Sequence, residues 1–399
     1  MTAATPGISD RQVAMMAVGC ALAVSTIYYH QPLLPQMAAS FGVTPAQASL
    51  IATLTQLGYA VGLLLFVPLG DRVQPRKLAS LAIAVNTLAL LACAVAPTFA
   101  LLAACSFGVG MTAVTAQIII PAVSGRATPA RRGRVVGSLL GGLASGLLLA
   151  RMLSGLVGAH LGWRAMFVLA SVVDLALLAI VIRNLPASTG LTVVRYRDLM
   201  RSLVALVREE RLLRISAATG FLMFAAFSAL WASLAALLAR PPYGYGPATI
   251  GAFGLAGIAG IASAPRIGAA VDRIGTRNMV LVGTITVGVA FALVAAGGRS
   301  LAWVIAGMVL LDLGNRAALV ASQARIFALR PESPSRLNTV YMVSYFIGGA
   351  TGAALGGYAA QRDGWIGLAA VGVVLALAAV MVNAFAPDKA VVALAEGQS

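Results

Sequence analysis

Twelve stretches of about 20 residues, nearly every side chain in them apolar, constrain this chain more than any other feature it has. They start near residues 13, 47, 78, 99, 135, 164, 213, 249, 279, 301, 337 and 365. A helix rising ~1.5 Å per residue needs roughly that length to cross ~30 Å of hydrocarbon. Lipid cannot satisfy open backbone groups, so only helices or closed barrels span it. Barrel strands alternate between lipid and lumen and would break such runs. The expected fold class is all-α, a polytopic membrane protein of 12 transmembrane helices. A composition of 60% hydrophobic and 10% charged residues in 399 lies outside the range of soluble domains.

A formal charge of +16 would suit a nucleic-acid partner if it formed one patch. Instead Arg and Lys fall in alternate connections: Arg72, Arg76 and Lys77; Arg126, Arg131, Arg132 and Arg134; seven Arg from Arg183 to Arg214; Arg273 and Arg277; Arg325, Arg330 and Arg336. The intervening connections carry none at 37–46, then Arg164, Arg240, Arg299 and Arg362. This is the positive-inside pattern, which places both termini in the cytoplasm and makes the bilayer, not nucleic acid, the macromolecular partner. The first apolar run lacks a strongly basic leader and is too long for a cleaved signal. Cys20, Cys93 and Cys105 all lie in expected spans without C-x-x-C spacing and read as small buried hydrophobes.

The chain repeats itself. Gly42 and Pro45 recur 202 residues later as Gly244 and Pro247, Arg134 as Arg336, and Gly162-Trp163 as Gly364-Trp365; Asp71-Arg72 recurs after 201 as Asp272-Arg273. Landmarks in one order at one offset divide the chain into a six-helix half (1–182), a polar linker (183–212), a second half (213–386) and a tail (387–399). Leu199, Leu203, Leu206 and Val207 give the linker an apolar face, with Arg opposite, as in a helix lying at the headgroups.

Two six-helix halves, a long basic central stretch and Asp-Arg after the second span of each half resemble the major facilitator superfamily of secondary transporters. The likeness extends over essentially the whole chain. Its loop signature fits the second copy at Gly268, Asp272, Arg273, Gly275 and Arg277, whereas Val67 and Gln74 stand in place of both glycines in the first. The resemblance implies a conformational latch formed by Asp71, Arg72, Arg76, Asp272, Arg273 and Arg277, whose pairs part when one face opens. The stripes Gly348/Gly352/Gly356, Gly142/Gly146 and Gly58/Gly62 permit close helix approach. On the family pattern they suit the rocking seam between halves, with static packing as the alternative. The fifth span lacks the proline, and the fourth the arginine, of drug-proton antiporters.

Function is expected where the halves differ. Arg151, Asp174, Asp312 and Arg316 are ionisable groups inside apolar spans, and none has an ionisable counterpart at the repeat offset. Asp312 and Arg316, one turn apart, permit an ion pair. Arg151 could reach Asp174 or the outer headgroups. Asp312 and Asp174 are therefore the proton-coupling candidates, with Arg316 and Arg151 as charge partners. Tyr28, Tyr29, His30 and Gln31 interrupt the end of the first span. With Gln56, Asn86, Gln117, Asn315 and Gln323 they are the candidates for a substrate cavity.

No P-loop, zincin or nucleophile-elbow spacing is present, so no enzyme, cofactor or metal site is expected. No ring of like residues suggests a channel filter. The expectation is a monomeric transporter of a bacterial-type inner membrane. It works by alternating access on a small molecule, with proton-coupled export of an organic or drug-like compound leading. Uptake or exchange of a polar metabolite is the alternative, which an aromatic-poor, amide-lined cavity would favour.

Overall fold

The computed structural model describes residues 8–185, 195–330 and 334–386. Its helices are α1 (Asp10–Ser25), α2 (Leu34–Phe41), α3 (Pro45–Phe66), α4 (Pro75–Val95), α5 (Phe99–Thr112), α6 (Thr115–Ser124), α7 (Pro129–Asn184), α8 (Tyr196–Glu209), α9 (Arg211–Leu238), α10 (Pro247–Ala252), α11 (Gly257–Ile274), α12 (Thr276–Val294), α13 (Leu301–Phe327) and α14 (Pro334–Ala384). Local sequence sets many of their ends. Ser9 with Gln12, and Thr44 with Gln47, form reciprocal capping boxes that start α1 and α3.

The repeat landmarks are the turns. Gly42 and Gly244 adopt φ 62° and 63°, and Gly162 and Gly364 adopt φ 81° and 58°, a region that only glycine enters freely. Gly162 divides α7 into two arms. Gly142 of the first faces Ala17, and Leu177 of the second faces Gly19, so both arms pack on α1 at one level and the chain has reversed. In α14 the reversal falls at Asp363 and Gly364. The ring of Trp163 lies 5.8 Å from that of Phe41, and Trp365 lies 6.3 Å from Tyr243, the same pair 202 residues on. The loop signature behaves likewise where it is intact: Gly275 turns at φ 81°, while Gln74 keeps φ −52° and leaves Pro75 to start α4.

Among the described residues eight segments are long and apolar enough to cross a membrane, and two of them are the double-length α7 and α14. The first and eighth passes are broken instead, by residues 26–33 between α1 and α2 and by the 3-10 turn Phe253–Ala256 before α11. Together these are consistent with twelve passes. The first pass runs on to Phe41, so the connection expected at 37–46 is only 42–44, and His30 sits inside the pass rather than near its end. Arg325, expected in a loop, lies within α13 and is buried, donating to Asn383 Oδ1 at 3.1 Å.

The glycine stripes do not form the seam between halves. A Cβ on Gly142 or Gly146 would strike the backbone of Ala17 or Ala21 of α1, one on Gly58 or Gly62 that of Phe107 or Met111 of the fourth pass, and one on Gly348 or Gly352 that of Phe221 or Ala225 of α9. Each stripe lies within one half. Backbones that touch this closely suit a body that stays rigid, whereas a rocking seam must make and break.

The halves meet at the end bearing Gly42 and Gly244. Ala46 N–H donates to Gln361 Oε1 at 2.8 Å, Gly357 abuts Ser49, Gly155 abuts Gly251, and Ala52, Ala232 and Ala353 pack together. At the opposite end, among the described residues, nothing lies within 4 Å of a Cβ placed on Gly133, Gly137 or Gly141 of α7 or on Gly268 of α11. Among the described residues the halves thus touch at one end, the closed one, and not at these positions of the other, the open one. Across the open end runs α8, its Leu199, Leu203 and Leu206 buried but Val207 37% exposed. Tyr196 donates to the Leu65 carbonyl at 3.1 Å, and Arg330 donates to Glu210 and Glu209 at 2.7 Å each. The linker thus holds both halves.

Candidate functional site

Above the open end, between the halves, lies a cavity of roughly 120 Å³. One wall comes from α9, where "FLMFAAFSALW" repeats an aromatic residue each turn, so that Phe224, Phe227 and Trp231 share a face at centroid separations of 5.6 and 6.1 Å. Tyr345 of α14 stacks on Phe224 at 3.9 Å, and Phe346 meets Tyr59 of the other half at 4.3 Å. This aromatic wall was legible as spacing in the sequence, but only the fold shows that it faces the seam. The break in the first pass turns Tyr28 into the same cavity. Helix α13 adds Asp312, Asn315 and Arg316, which the i, i+3, i+4 spacing puts on one face, and α6 adds Gln117.

The charges are arranged differently from the pairs that the spacing allows. Asp312 is 7% exposed, its Oδ2 has no hydrogen-bond partner, and no ion pair joins it to Arg316. Arg151 does not reach Asp174. It crosses the seam: Nε donates to Gln31 Oε1 at 2.7 Å, the guanidinium lies 3.5 Å from the Trp231 ring centroid and 5.2 Å from that of Tyr28, and Nη2 has no partner. Nor does it snorkel, being 2% exposed. Ser154, one turn on, donates to the Tyr29 carbonyl and ties this part of α7 to the broken first pass.

Asp174 belongs to a separate network inside the first half. Asn86 Nδ2 donates to its Oδ2 at 2.7 Å, and Thr112 Oγ1 donates to Asn86 Oδ1 at 3.0 Å. These residues hold α4, α5 and the second arm of α7 together and do not line the cavity. Asn315 Nδ2 donates to Tyr345 OH at 3.1 Å. Gln323 pairs with Asn338 at 3.2 Å, about two turns from Asn315 and outside the cavity. His30 Nε2 and Gln56 Oε1 are buried without partners. Among the described residues no group of three or more His, Cys, Asp or Glu could hold a metal.

At the open end Asp272, Arg72 and Arg273 are exposed, and Arg277 Nη2 donates to the Ala384 carbonyl at 3.3 Å. Arg76 is half-buried, and the side chain of Asp71 lies outside those described.

The sequence profile of the Major Facilitator Superfamily matches residues 16–269 and 216–397. The uncharacterized transporter YgaY of Escherichia coli O157:H7 is 36% identical over 383 residues, covering 96% of this chain and 97% of its own. The inner membrane transport protein YnfM of Escherichia coli (strain K12) is 25% identical over 384 residues, covering 95% and 91%. Among solved structures, a point mutant of the peptide transporter POT in complex with alafosfalin superposes with a TM-score of 0.76 at 15% identity, covering 95% of this chain and 96% of that one. At that identity the likeness concerns the fold.

Proposed function

The chain belongs to the Major Facilitator Superfamily and is a multi-pass membrane transporter, and from that premise we propose that it exports a small organic molecule, coupled to protons, by alternating access between two faces of a bacterial-type inner membrane. The observation that carries this reading is the cavity between the halves: aromatic walls from both halves around one buried carboxylate, Asp312. An apolar body gains by leaving water for such walls. They are the reverse of the aromatic-poor, amide-lined surface that a polar metabolite would favour. A carboxylate inside a membrane span is costly to keep charged and suits the carriage of a proton. Sealing at one end and opening at the other supports alternating access, with rigid halves moving about the seam. With both termini cytoplasmic, the open end faces inward.

The test is transport by purified protein in proteoliposomes under an imposed pH gradient, screened against organic cations, anions and neutral aromatic compounds. The expected result is uphill movement of at least one class, abolished when the gradient is collapsed. Equal distribution of every compound, with or without the gradient, would refute the reading.

A further inference from the structure

Around the cavity the described charged side chains are two guanidinia and one carboxylate: Arg151, Arg316 and Asp312. Arginine stays charged in proteins, so the site is positive on balance even with Asp312 ionised. The imbalance is built in rather than superficial. Arg151 is 2% exposed, no carboxylate lies within 4 Å of it among the described residues, and its Nη2 donates to nothing. A ring face at Trp231 and one amide oxygen at Gln31 replace only part of the water that a guanidinium loses on burial. Nor is Arg316, half-buried on the cavity wall, in an ion pair among the described residues. Tyr28 connects the two positions: it lines the cavity and lies under Arg151. Arg316 follows Asp312 by one turn on the cavity face of α13, and Asp312 Oδ2 would stand 3.6 Å from a Cβ on Gly257, one turn beyond Gly254, which Arg151 abuts.

We propose that the substrate is a monocarboxylate on a flat, apolar or aromatic body, its carboxylate docking between Arg151 and Arg316 and its body against Phe224 and Tyr345. This rests on the cavity being the transport site. A planar carboxylate matches the forked N–H pattern of a guanidinium and supplies the missing counter-charge, and aromatic faces take the body. Asp312 then competes with the substrate for the same two cations, so the residue thought to carry the proton also senses occupancy. A cationic substrate would meet two like charges at close range, and a neutral one would leave the imbalance uncorrected.

Three probes of similar size test this: phenylacetate, phenethylamine and phenethyl alcohol, titrated at neutral pH against the purified full chain by tryptophan fluorescence. Phenylacetate is expected to bind at least about tenfold tighter than either of the others, the scale of a charge-assisted contact over a neutral one. Arg151→Gln and Arg316→Gln should each remove most of that preference, and Arg151→Lys, which keeps the charge but not the fork, should retain part of it. Asp312→Asn should hold or raise phenylacetate affinity. If Arg151 served only the seam, its loss would change all three affinities together, which would overturn the proposal. So would phenethylamine binding tightest, three equal affinities, or no binding. A phenylacetate preference that survives in a protein inactive in proteoliposomes would remove the transport reading and leave the anion site standing.

Discussion

Asp312 shows how one residue acquires its role from its surroundings. Its spacing to Arg316 allowed a structural ion pair, whose disruption would cost about 3–5 kcal/mol. No such pair forms, so Asp312→Asn should leave folded yield and melting temperature nearly unchanged. Its transport phenotype should be specific. One pH unit supplies about 1.4 kcal/mol per proton, enough for about tenfold accumulation. The variant should lose that accumulation in proteoliposomes while counterflow at equal pH persists. Gradient-driven accumulation that survives Asp312→Asn would pass the proton role to another group. Asp174 predicts a contrasting outcome. Because Asn86 engages it away from the cavity, and Thr112 only through Asn86, Asp174→Ala strands the buried Asn86 amide and should lower the melting temperature, by about 1–3 kcal/mol of stability. Unchanged thermal stability would count against a structural Asp174 network.

At the scale of elements, the glycines separate parts that must stay rigid from parts that must move. Gly352 leaves no room between α14 and α9, so Gly352→Leu should cost at least about 1–3 kcal/mol and reduce folded protein, as size-exclusion profiles after extraction would reveal. Gly137 is exposed on the arm of α7 that faces open space, and Gly137→Leu should fold normally. It should nevertheless slow turnover, because the proposed alternating-access cycle requires the open end to close. Equal effects on folding at both positions would contradict the division. The stripes were visible as small residues four apart, but that pattern is the same whether a helix packs inside its own half or across the seam.

For the whole molecule, the closed end is the checkable feature. Ala46→Cys with Gln361→Cys places two thiols where the halves touch, on a background lacking Cys20, Cys93 and Cys105. A membrane-impermeant bismaleimide added outside intact cells should join them and stop transport. This outcome requires both that this end is sealed and that it faces outward. Reaction only after the membrane is permeabilised would invert the proposed orientation, and no reaction in either case would contradict the closure.

The sequence alone determined the membrane environment, the number of apolar runs and the two-fold repeat, because lipid imposes length and backbone satisfaction on each pass separately and the positive-φ turns demand glycine locally. Gly42, Gly162, Gly244 and Gly364 could therefore be read one at a time. The tertiary structure decided the pairings: that Arg151 stacks on Trp231 rather than reaching Asp174, that Arg325 is buried in α13, and that the aromatic face of α9 looks into the seam. Residues far apart in the chain meet there through helix rotation and tilt, which small packing differences summed over whole faces set, and no local spacing encodes them.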